Sequence, residues 1–279
     1  MDKKFNGKAI YNPSGKAQEY SYWACNFYNG CSAKCDYCYN RHGITAKILG
    51  QDTPVLKKCL QNPDSSWEIP YEFALGQFMD EVDKNIDELR KYGLFFNFVS
   101  DPFLHETIEL NTKAMAYCVI KDVPVKLLTK QTWWINEEKY TKFLLYKHNN
   151  IPYKIAFGFT LTGHDELEPG ANTNMERIEV MKKLNDLGLK TFASIEPIID
   201  LQSSFEMIVA SSSVNCNLIK VGLQSGKKYD KKELLFFVER TIKESTCPIY
   251  FKDSLLKQAE INRIDLPSNC VNRDYNLFN

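Results

Sequence analysis

The sequence predicts an α/β fold in which parallel strands alternate with helices within a single domain. Six short apolar runs recur along the chain, and segments with helical periodicity separate them. No internal repeat and no linker rich in Pro, Gly or Ser divides the chain. With 279 residues, 44% hydrophobic and 25% charged, the composition is that of an ordinary globular protein. It excludes a disordered tail, a collagen-like fibre and a disulfide-stapled mini-protein.

The individual elements follow from local patterns. The predicted strands cover residues 20–25, 94–100, 124–130, 155–162, 190–195 and 218–223, with a seventh, peripheral strand at 248–251. Apolar residues at helical spacing predict helices over 78–89, around 108–119, near 137–148, over 174–187, between the fifth and sixth strands, and near 231–245. Gly93 and Gly188 are expected to end two of these helices, and Thr173 with Glu176 forms a capping-box pattern.

Charge and hydropathy exclude several functional classes. The 35 basic and 35 acidic residues cancel, so no global field attracts nucleic acid or anionic lipid. A transmembrane helix needs about 18 consecutive apolar residues, and the sequence contains no such run. The first seven residues also lack the apolar stretch of a secretory signal. We therefore expect a cytoplasmic protein without a membrane partner.

The cysteines carry the most specific signal. There are nine, and in the reducing cytosol a cluster of them indicates metal binding or catalysis rather than disulfides. Cys31, Cys35 and Cys38 form a C-x3-C-x2-C pattern, and Gly30 permits the tight turn that such a loop needs. Three thiolates from one loop suit an iron–sulfur cubane in which one iron lacks a protein ligand.

A structural zinc ion is the alternative for this loop, with Cys25 or His42 completing a closed tetrahedron. The protein would then be a zinc-stabilised nucleic-acid-binding module, in which Trp133 and Trp134 could stack bases if they were exposed. The scattered cysteines are each expected to be small buried hydrophobic residues. They are Cys59, Cys118, Cys216, Cys247 and Cys270.

Polar residues follow the apolar runs at the carboxyl ends of the predicted strands. Parallel sheets place ligands at this edge, so we expect these residues to converge with the cysteine loop. A turn or a helix cap is the alternative explanation for any one of them. The strand-end candidates are Ser100, Asp101, Thr129, Lys130, Thr160, Thr162, Ser194, Glu196, Gln224 and Ser225.

These features resemble the radical SAM superfamily. The resemblance lies in the C-x3-C-x2-C loop after the first strand, the aromatic Tyr37 before the last cysteine, and the β/α units behind them, over roughly residues 20–225. The two tyrosines around Cys38 are similar to the spore photoproduct lyase-like branch, and other segments are similar to radical SAM proteins of phages and mobile elements. The resemblance implies a partial (β/α)6 TIM-type barrel with parallel strands. Its core would span residues 20–250, between an N-terminal extension over 1–19 and a C-terminal extension over 251–279 that covers the barrel.

The resemblance also implies an activity. Such an enzyme uses a 4Fe-4S cluster, bound by Cys31, Cys35 and Cys38, to cleave S-adenosylmethionine reductively. The resulting 5′-deoxyadenosyl radical abstracts hydrogen from a substrate, for which nucleic acid or a nucleotide is a candidate. The expected partner is an external one-electron reductant of the flavodoxin or ferredoxin type.

S-adenosylmethionine contacts are implied at the strand ends. Lys130 suits the methionine carboxylate, and hydroxyls such as that of Ser100 suit carboxylate or ribose. Tyr37 is placed to contact adenine, and Glu196 can accept from ribose or adenine. The expected cofactor-binding residues are Tyr37, Ser100, Asp101, Lys130, Thr160 and Glu196.

One position departs from the lyase pattern. Photoproduct lyases carry a hydrogen-donating cysteine two positions before the strand-end serine, where this chain has Phe98. Phenylalanine has no hydrogen that transfers in this way. Repair of thymine photoproducts by that route is therefore not expected, and the sequence identifies no catalytic hydrogen donor.

Overall fold

The structure, a computed structural model, describes residues 5–63, 71–144, 147–148, 151–152 and 154–278. The chain forms two compact units, one made of residues 1–34 and 38–155, the other of residues 35–37 and 156–279. The predicted α/β class is confirmed, because each unit contains four main-sheet strands together with helices among the described residues. The domain boundaries predicted at residues 19/20 and 250/251 remain predictions.

The first unit carries most of the cysteine loop. In chain order its elements are β1 (Ile10–Tyr11), β2 (Ala24–Cys25), β3 (Tyr28–Asn29), α1 (Ala46–Leu49), β4 (Val55–Leu56), α2 (Glu72–Lys84), α3 (Ile86–Tyr92), β5 (Leu94–Phe96), α4 (Ile108–Ile120), β6 (Val125–Thr129), α5 (Glu138–Leu144), β7 (Lys147–His148) and β8 (Ile151–Pro152). Its main-sheet strands follow the order β1-β2-β5-β6, with β1 antiparallel to β2 and the other pairs parallel. The pairs β3–β4 and β7–β8 are separate antiparallel ladders.

The second unit repeats a strand–helix pattern. Its elements are β9 (Ile155–Thr160), α6 (Asn174–Asp186), β10 (Lys190–Ile198), α7 (Leu201–Ser213), β11 (Ile219–Leu223), α8 (Lys231–Glu244), β12 (Ile249–Phe251) and α9 (Asp253–Ala259). The strands follow the order β9-β10-β11-β12, and all three pairs are parallel. Every residue of β9 and β11 is buried, as expected for inner strands of a parallel sheet that is covered on both faces.

Local signals fixed several helix ends as predicted. Gly93 follows α3 with a φ of +72°, a conformation that glycine adopts without a Cβ penalty. At the start of α6, the Thr173 hydroxyl accepts from the amide of Glu176, while the Glu176 carboxylate accepts from the amide of Thr173. This is the predicted capping box.

Other predicted elements are shorter than their patterns indicate. The helix expected over 78–89 is divided into α2 and α3 at Asn85, whose side-chain amide donates to the carbonyl of Glu81 and whose φ is −123°. The helix expected near 137–148 ends at Leu144, and residues 147–148 belong to β7, while residues 145–146 lie outside the described residues. The strand expected over 20–25 is limited to Ala24 and Cys25, the only two of these residues that pair with β5.

Within the part of the chain that the structure describes, no helix is both long enough and apolar enough to cross a membrane.

Candidate active site

The cysteine loop leads from β3 into a 3-10 turn formed by Tyr39–Arg41. The tight turn predicted at Gly30 is confirmed, because this glycine has a φ of +85°. The next amide, that of Cys31, donates to the carbonyl of Gln51 at 2.9 Å and fixes the start of the loop. None of the three loop cysteines forms a disulfide; Cys35 is buried, and the other two are half-buried.

Replacing Gly30 by alanine is expected to destabilise the loop strongly. A Cβ at this position would lie 2.4 Å from the carbonyl oxygen of Thr53 and 2.9 Å from that of Gln51, in addition to the left-handed backbone. The matched control is Gly43→Ala, because Gly43 has a φ of +77° but no atom within 4 Å of its added Cβ. We expect Gly43→Ala to cost about 1–2 kcal/mol of unfolding free energy, and Gly30→Ala to cost about 2 kcal/mol more. Urea unfolding of the two variants measures both values, and equal losses would contradict the expectation.

Asp101 joins the ends of β5 and β6 in the first unit. Its carboxylate accepts hydrogen bonds from the amide of Phe103 at 2.9 Å, the hydroxyl of Thr129 at 2.7 Å and the amide of Lys130 at 2.7 Å. Burial raises the pKa of Asp101, and these hydrogen bonds oppose that shift. The carboxylate is therefore engaged in shaping the two strand ends.

The thiol of Cys31 lies close to this arrangement. Burial, and after it the charge of Asp101, raise its pKa to about 11 against the opposing effects of two backbone hydrogen bonds and the ammonium of Lys130. The structure therefore brings together three residues that the sequence singles out from distant parts of the chain. Beside them, the hydroxyl of Ser100 is buried and has no hydrogen-bond partner within the described residues. Such a hydroxyl is suited to a polar group of a ligand.

In the second unit, the middle of the cysteine loop is tied to a buried ion pair. The hydroxyl of Tyr37 donates to the carboxylate of Glu168, whose other oxygen accepts from Arg177 at 2.6 Å. The side chains of Glu168 and Arg177 are both 0% exposed. The guanidinium of Arg177 also donates to the carbonyl of Thr160 at 2.7 Å. The sequence analysis gave neither Glu168 nor Arg177 a role.

Glu196 has a partner that sequence reasoning missed. The ammonium of Lys252 lies 2.7 Å from one Glu196 oxygen and 3.0 Å from the other, and the lysine side chain is only 2% exposed. Gly222 allows this approach, because a Cβ there would lie 2.8 Å from Glu196 Cδ and from Lys252 Cδ. Lys252 directly follows β12, so extending the strand-end rule to the seventh predicted strand would have found it.

His164 follows β9 and bridges two carboxylates. One ring nitrogen pairs with Asp200, and Nδ1 lies 2.7 Å from Glu166. These two hydrogen bonds raise the pKa of the imidazole, with Asp200 the larger cause. Asp200 also caps α7 by accepting from the amide of Ser203 at 2.8 Å. Because both ring nitrogens are engaged, His164 serves to join two loops.

Two residues of the zinc alternative, Cys25 and Trp134, are used in packing. Cys25 is fully buried on β2. Trp134 is also fully buried and donates to the carbonyl of Gln131, while Trp133 stacks on His105 with ring centroids 4.1 Å apart. Across the described ranges, no group of three or more His, Cys, Asp or Glu side chains is placed to hold a metal ion, and this holds for Cys31, Cys35 and Cys38 as well as for the zinc alternative.

Three of the five scattered cysteines are buried as expected. Cys118, Cys216 and Cys247 are buried as predicted, and Cys270 is half-buried. Cys59 is exposed, so the expectation of a buried residue is wrong there. It lies in a 3-10 turn at the surface (Lys58–Leu60), where only Leu60 is buried.

Comparison with known proteins identifies relatives by structure alone. No protein-family model matches the chain, and no curated protein matches it. A solved structure of spore photoproduct lyase complexed with dinucleoside spore photoproduct is similar, with a TM-score of 0.59 and 15% identity. That match covers 86% of this chain and 78% of the lyase.

The second similar protein is Streptococcus suis SuiB. Its structure bound to S-adenosylmethionine has a TM-score of 0.53 at 13% identity, with 84% of this chain and 51% of SuiB covered. Its structure bound to the precursor peptide SuiA has a TM-score of 0.56 at 14% identity, with 88% of this chain and 52% of SuiB covered. The chain thus spans about half the length of SuiB. At these identities the likeness is one of fold, and it confirms the partial TIM-type barrel expected from the radical SAM and spore photoproduct lyase-like resemblance.

Proposed function

We propose that the protein is a radical SAM enzyme. Cys31, Cys35 and Cys38 would bind a 4Fe-4S cluster, and S-adenosylmethionine would bind beside it. An external one-electron reductant of the flavodoxin or ferredoxin type would supply the electron. The enzyme would act in the cytoplasm, where its cysteines stay reduced.

The observation that carries the proposal is that Asp101, which accepts a hydrogen bond from the amide of Lys130, and the ammonium of Lys130 both shift the pKa of the Cys31 thiol, in the loop that also holds Cys35 and Cys38. The donor set fits an iron–sulfur cluster, since soft thiolates are its usual ligands. The buried, unpartnered hydroxyl of Ser100 fits a polar ligand such as S-adenosylmethionine. The fold likeness to SuiB and to spore photoproduct lyase supports the same class.

When bound, the cluster and S-adenosylmethionine together supply a one-electron reductive cleavage that initiates radical chemistry. The chain's own residues would bind S-adenosylmethionine and orient it. Lys130 would hold the methionine carboxylate by charge, and Ser100 would donate a hydrogen bond beside it. Asp101 would act indirectly, because its hydrogen bond to the amide of Lys130 fixes the backbone from which that lysine extends.

In the second unit, Thr160 and Glu196 are the proposed contacts to the nucleoside part. Thr160 is buried, and its carbonyl is already held by Arg177. Glu196 is oriented by Lys252, so its carboxylate would be presented in one fixed direction. The ion pairs Arg177–Glu168 and Lys252–Glu196 would hold these two contact groups in place before the ligand binds, so that binding requires no rearrangement of them.

The substrate would lose a hydrogen atom. Photoproduct lyases return a hydrogen from a cysteine, but this chain has Phe98 at that position, so we propose that it does not return one in this way. The ring of Phe98 stacks on Phe95 at a centroid distance of 4.3 Å and meets Tyr20 edge-on at 6.0 Å. Packing thus accounts for this position. A nucleic acid or nucleotide is the proposed substrate class, in line with the dinucleoside bound to spore photoproduct lyase; the peptide bound to SuiB makes a peptide the alternative.

Anaerobic reconstitution with iron and sulfide tests the proposal. We expect a brown protein that retains about four irons per chain and, after dithionite reduction, forms 5′-deoxyadenosine from S-adenosylmethionine. A colourless protein that instead retains one zinc ion tightly would overturn it.

A further inference from the structure

The central segment of the cysteine loop has its own anchor. Residues Cys35–Tyr37 belong to the second unit, whereas Lys34 and Cys38 on either side belong to the first. Two hydrogen bonds hold this segment within the second unit. The amide of Asp36 donates to the carbonyl of Leu167 at 3.0 Å, and the hydroxyl of Tyr37 donates to the carboxylate of Glu168.

The anchor is rigid because its acceptor is a buried, paired carboxylate. Glu168 and Arg177 form an ion pair whose side chains are both 0% exposed. Arg177 lies in the first turn of α6, whose start is fixed by the capping box. Its guanidinium also donates to the carbonyls of Thr160 and Asn172. Buried charges with several hydrogen bonds have few alternative arrangements, so the carboxylate position is well defined.

Tyr37 connects the fixed carboxylate of Glu168 to two of the three loop cysteines. It follows Cys35 by two residues and directly precedes Cys38. Its hydroxyl is engaged with Glu168, so the side chain has a specific partner other than the adenine expected from the resemblance. A hydrogen bond to a charged acceptor is stronger than one between neutral groups, so it restricts the loop around Tyr37.

We propose that Glu168 and Arg177 are positioning residues that act through Tyr37 to hold Cys35 and Cys38 in place for cluster binding. The expected effect on cluster retention rests on the proposed function. The structural part of the proposal, the ordering of the loop before any metal binds, stands independently of that function.

The test is Tyr37→Phe, which removes only the hydroxyl that reaches Glu168. The control is Tyr117→Phe, because the Tyr117 hydroxyl donates to the carboxylate of Asp83 at 2.9 Å on the exposed surface of the first unit. Amide hydrogen exchange of the metal-free protein reports on the loop itself. We expect exchange of the Asp36 amide to be about tenfold faster in Tyr37→Phe, the ratio that one such hydrogen bond represents. Exchange within α6 should stay unchanged, and the control should match the parent throughout.

The second measurement is the rate at which a ferrous chelator removes iron from the reconstituted, unreduced proteins well below their unfolding temperature. We expect release to be at least fivefold faster in Tyr37→Phe than in the control. A merely structural tyrosine would lower the thermal midpoint without changing this rate. Glu168→Leu removes the acceptor of the Tyr37 hydroxyl and should show the same fast release. The double variant Glu168→Leu and Arg177→Met replaces it if the single variant does not fold.

The outcomes separate the two proposals. If the parent protein binds no iron, the proposed function fails, and exchange of the Asp36 amide alone decides the positioning proposal. If the parent retains iron but both exchange and release are unchanged in Tyr37→Phe, the positioning proposal is overturned and the proposed function stands. Faster exchange with unchanged iron release also overturns the proposal, because the anchor would then not act on the cluster.

Discussion

Replacing any one of Cys31, Cys35 and Cys38 by alanine is expected to leave a folded protein that retains no 4Fe-4S cluster and forms no 5′-deoxyadenosine above the protein-free rate. A cubane held by three protein thiolates has no substitute ligand on this loop, since the remaining side chains there are Ser32, Ala33, Lys34, Asp36 and Tyr37. Two of the cysteines are half-buried, and each substitution removes only one sulfur atom. The unfolding free energy should therefore fall by about 1 kcal/mol. Iron content, visible absorbance and product formation are the measurements.

Cys59→Ala is the matched control, because Cys59 is exposed and lies outside the loop. It should keep the parent's iron content and rate. A loop variant that retained colour and cleavage would show that the cluster is bound elsewhere. Loss of bound iron and of product formation in the Cys59 variant would show that the loop is not the sole source of cluster ligands.

Local sequence patterns were sufficient for the fold class and for grouping some of the candidate residues. Apolar runs located the main strands, because burial on both faces of a parallel sheet favours continuous apolar residues in each strand. The strand-end rule placed Asp101 and Lys130 near Cys31, since it depends only on the direction in which parallel strands run. Gly30 was recognisable because a left-handed backbone favours one residue type.

The remaining features depend on pairings between distant residues, which leave no local pattern. Tyr37 and Glu168 are 131 positions apart, and Lys252 and Glu196 are 56 apart. A buried glutamate or lysine has the same letter as an exposed one, and only the fold decides which it is. The division between α2 and α3 was missed for a related reason, because the apolar spacing continues across Asn85 while its side chain bonds to the backbone.

The second large effect is expected from Arg177→Met. The substitution keeps an unbranched chain of similar length but leaves the carboxylate of Glu168 buried without its counter-charge, at a site where both side chains are 0% exposed. Breaking a buried pair in this way costs about 3–5 kcal/mol, most of it the desolvation of the remaining charge. The carbonyls of Thr160 and Asn172 also lose their donor. Urea unfolding of the metal-free protein measures the loss.

The same helix supplies the control, because Lys182 pairs with Asp186 in the i,i+4 arrangement with both side chains about two-thirds exposed. Lys182→Met should cost about 0.5 kcal/mol or less, as surface pairs do. Adding Glu168→Leu to Arg177→Met removes the buried charge as well, so the double variant should recover much of the stability that the single variant loses. It should not recover cluster retention, since Tyr37 would still lack its acceptor. A double variant that regained both stability and iron would mean that the ion pair supports the second unit alone, whereas stability without iron separates the packing role of the pair from its effect on the cysteine loop.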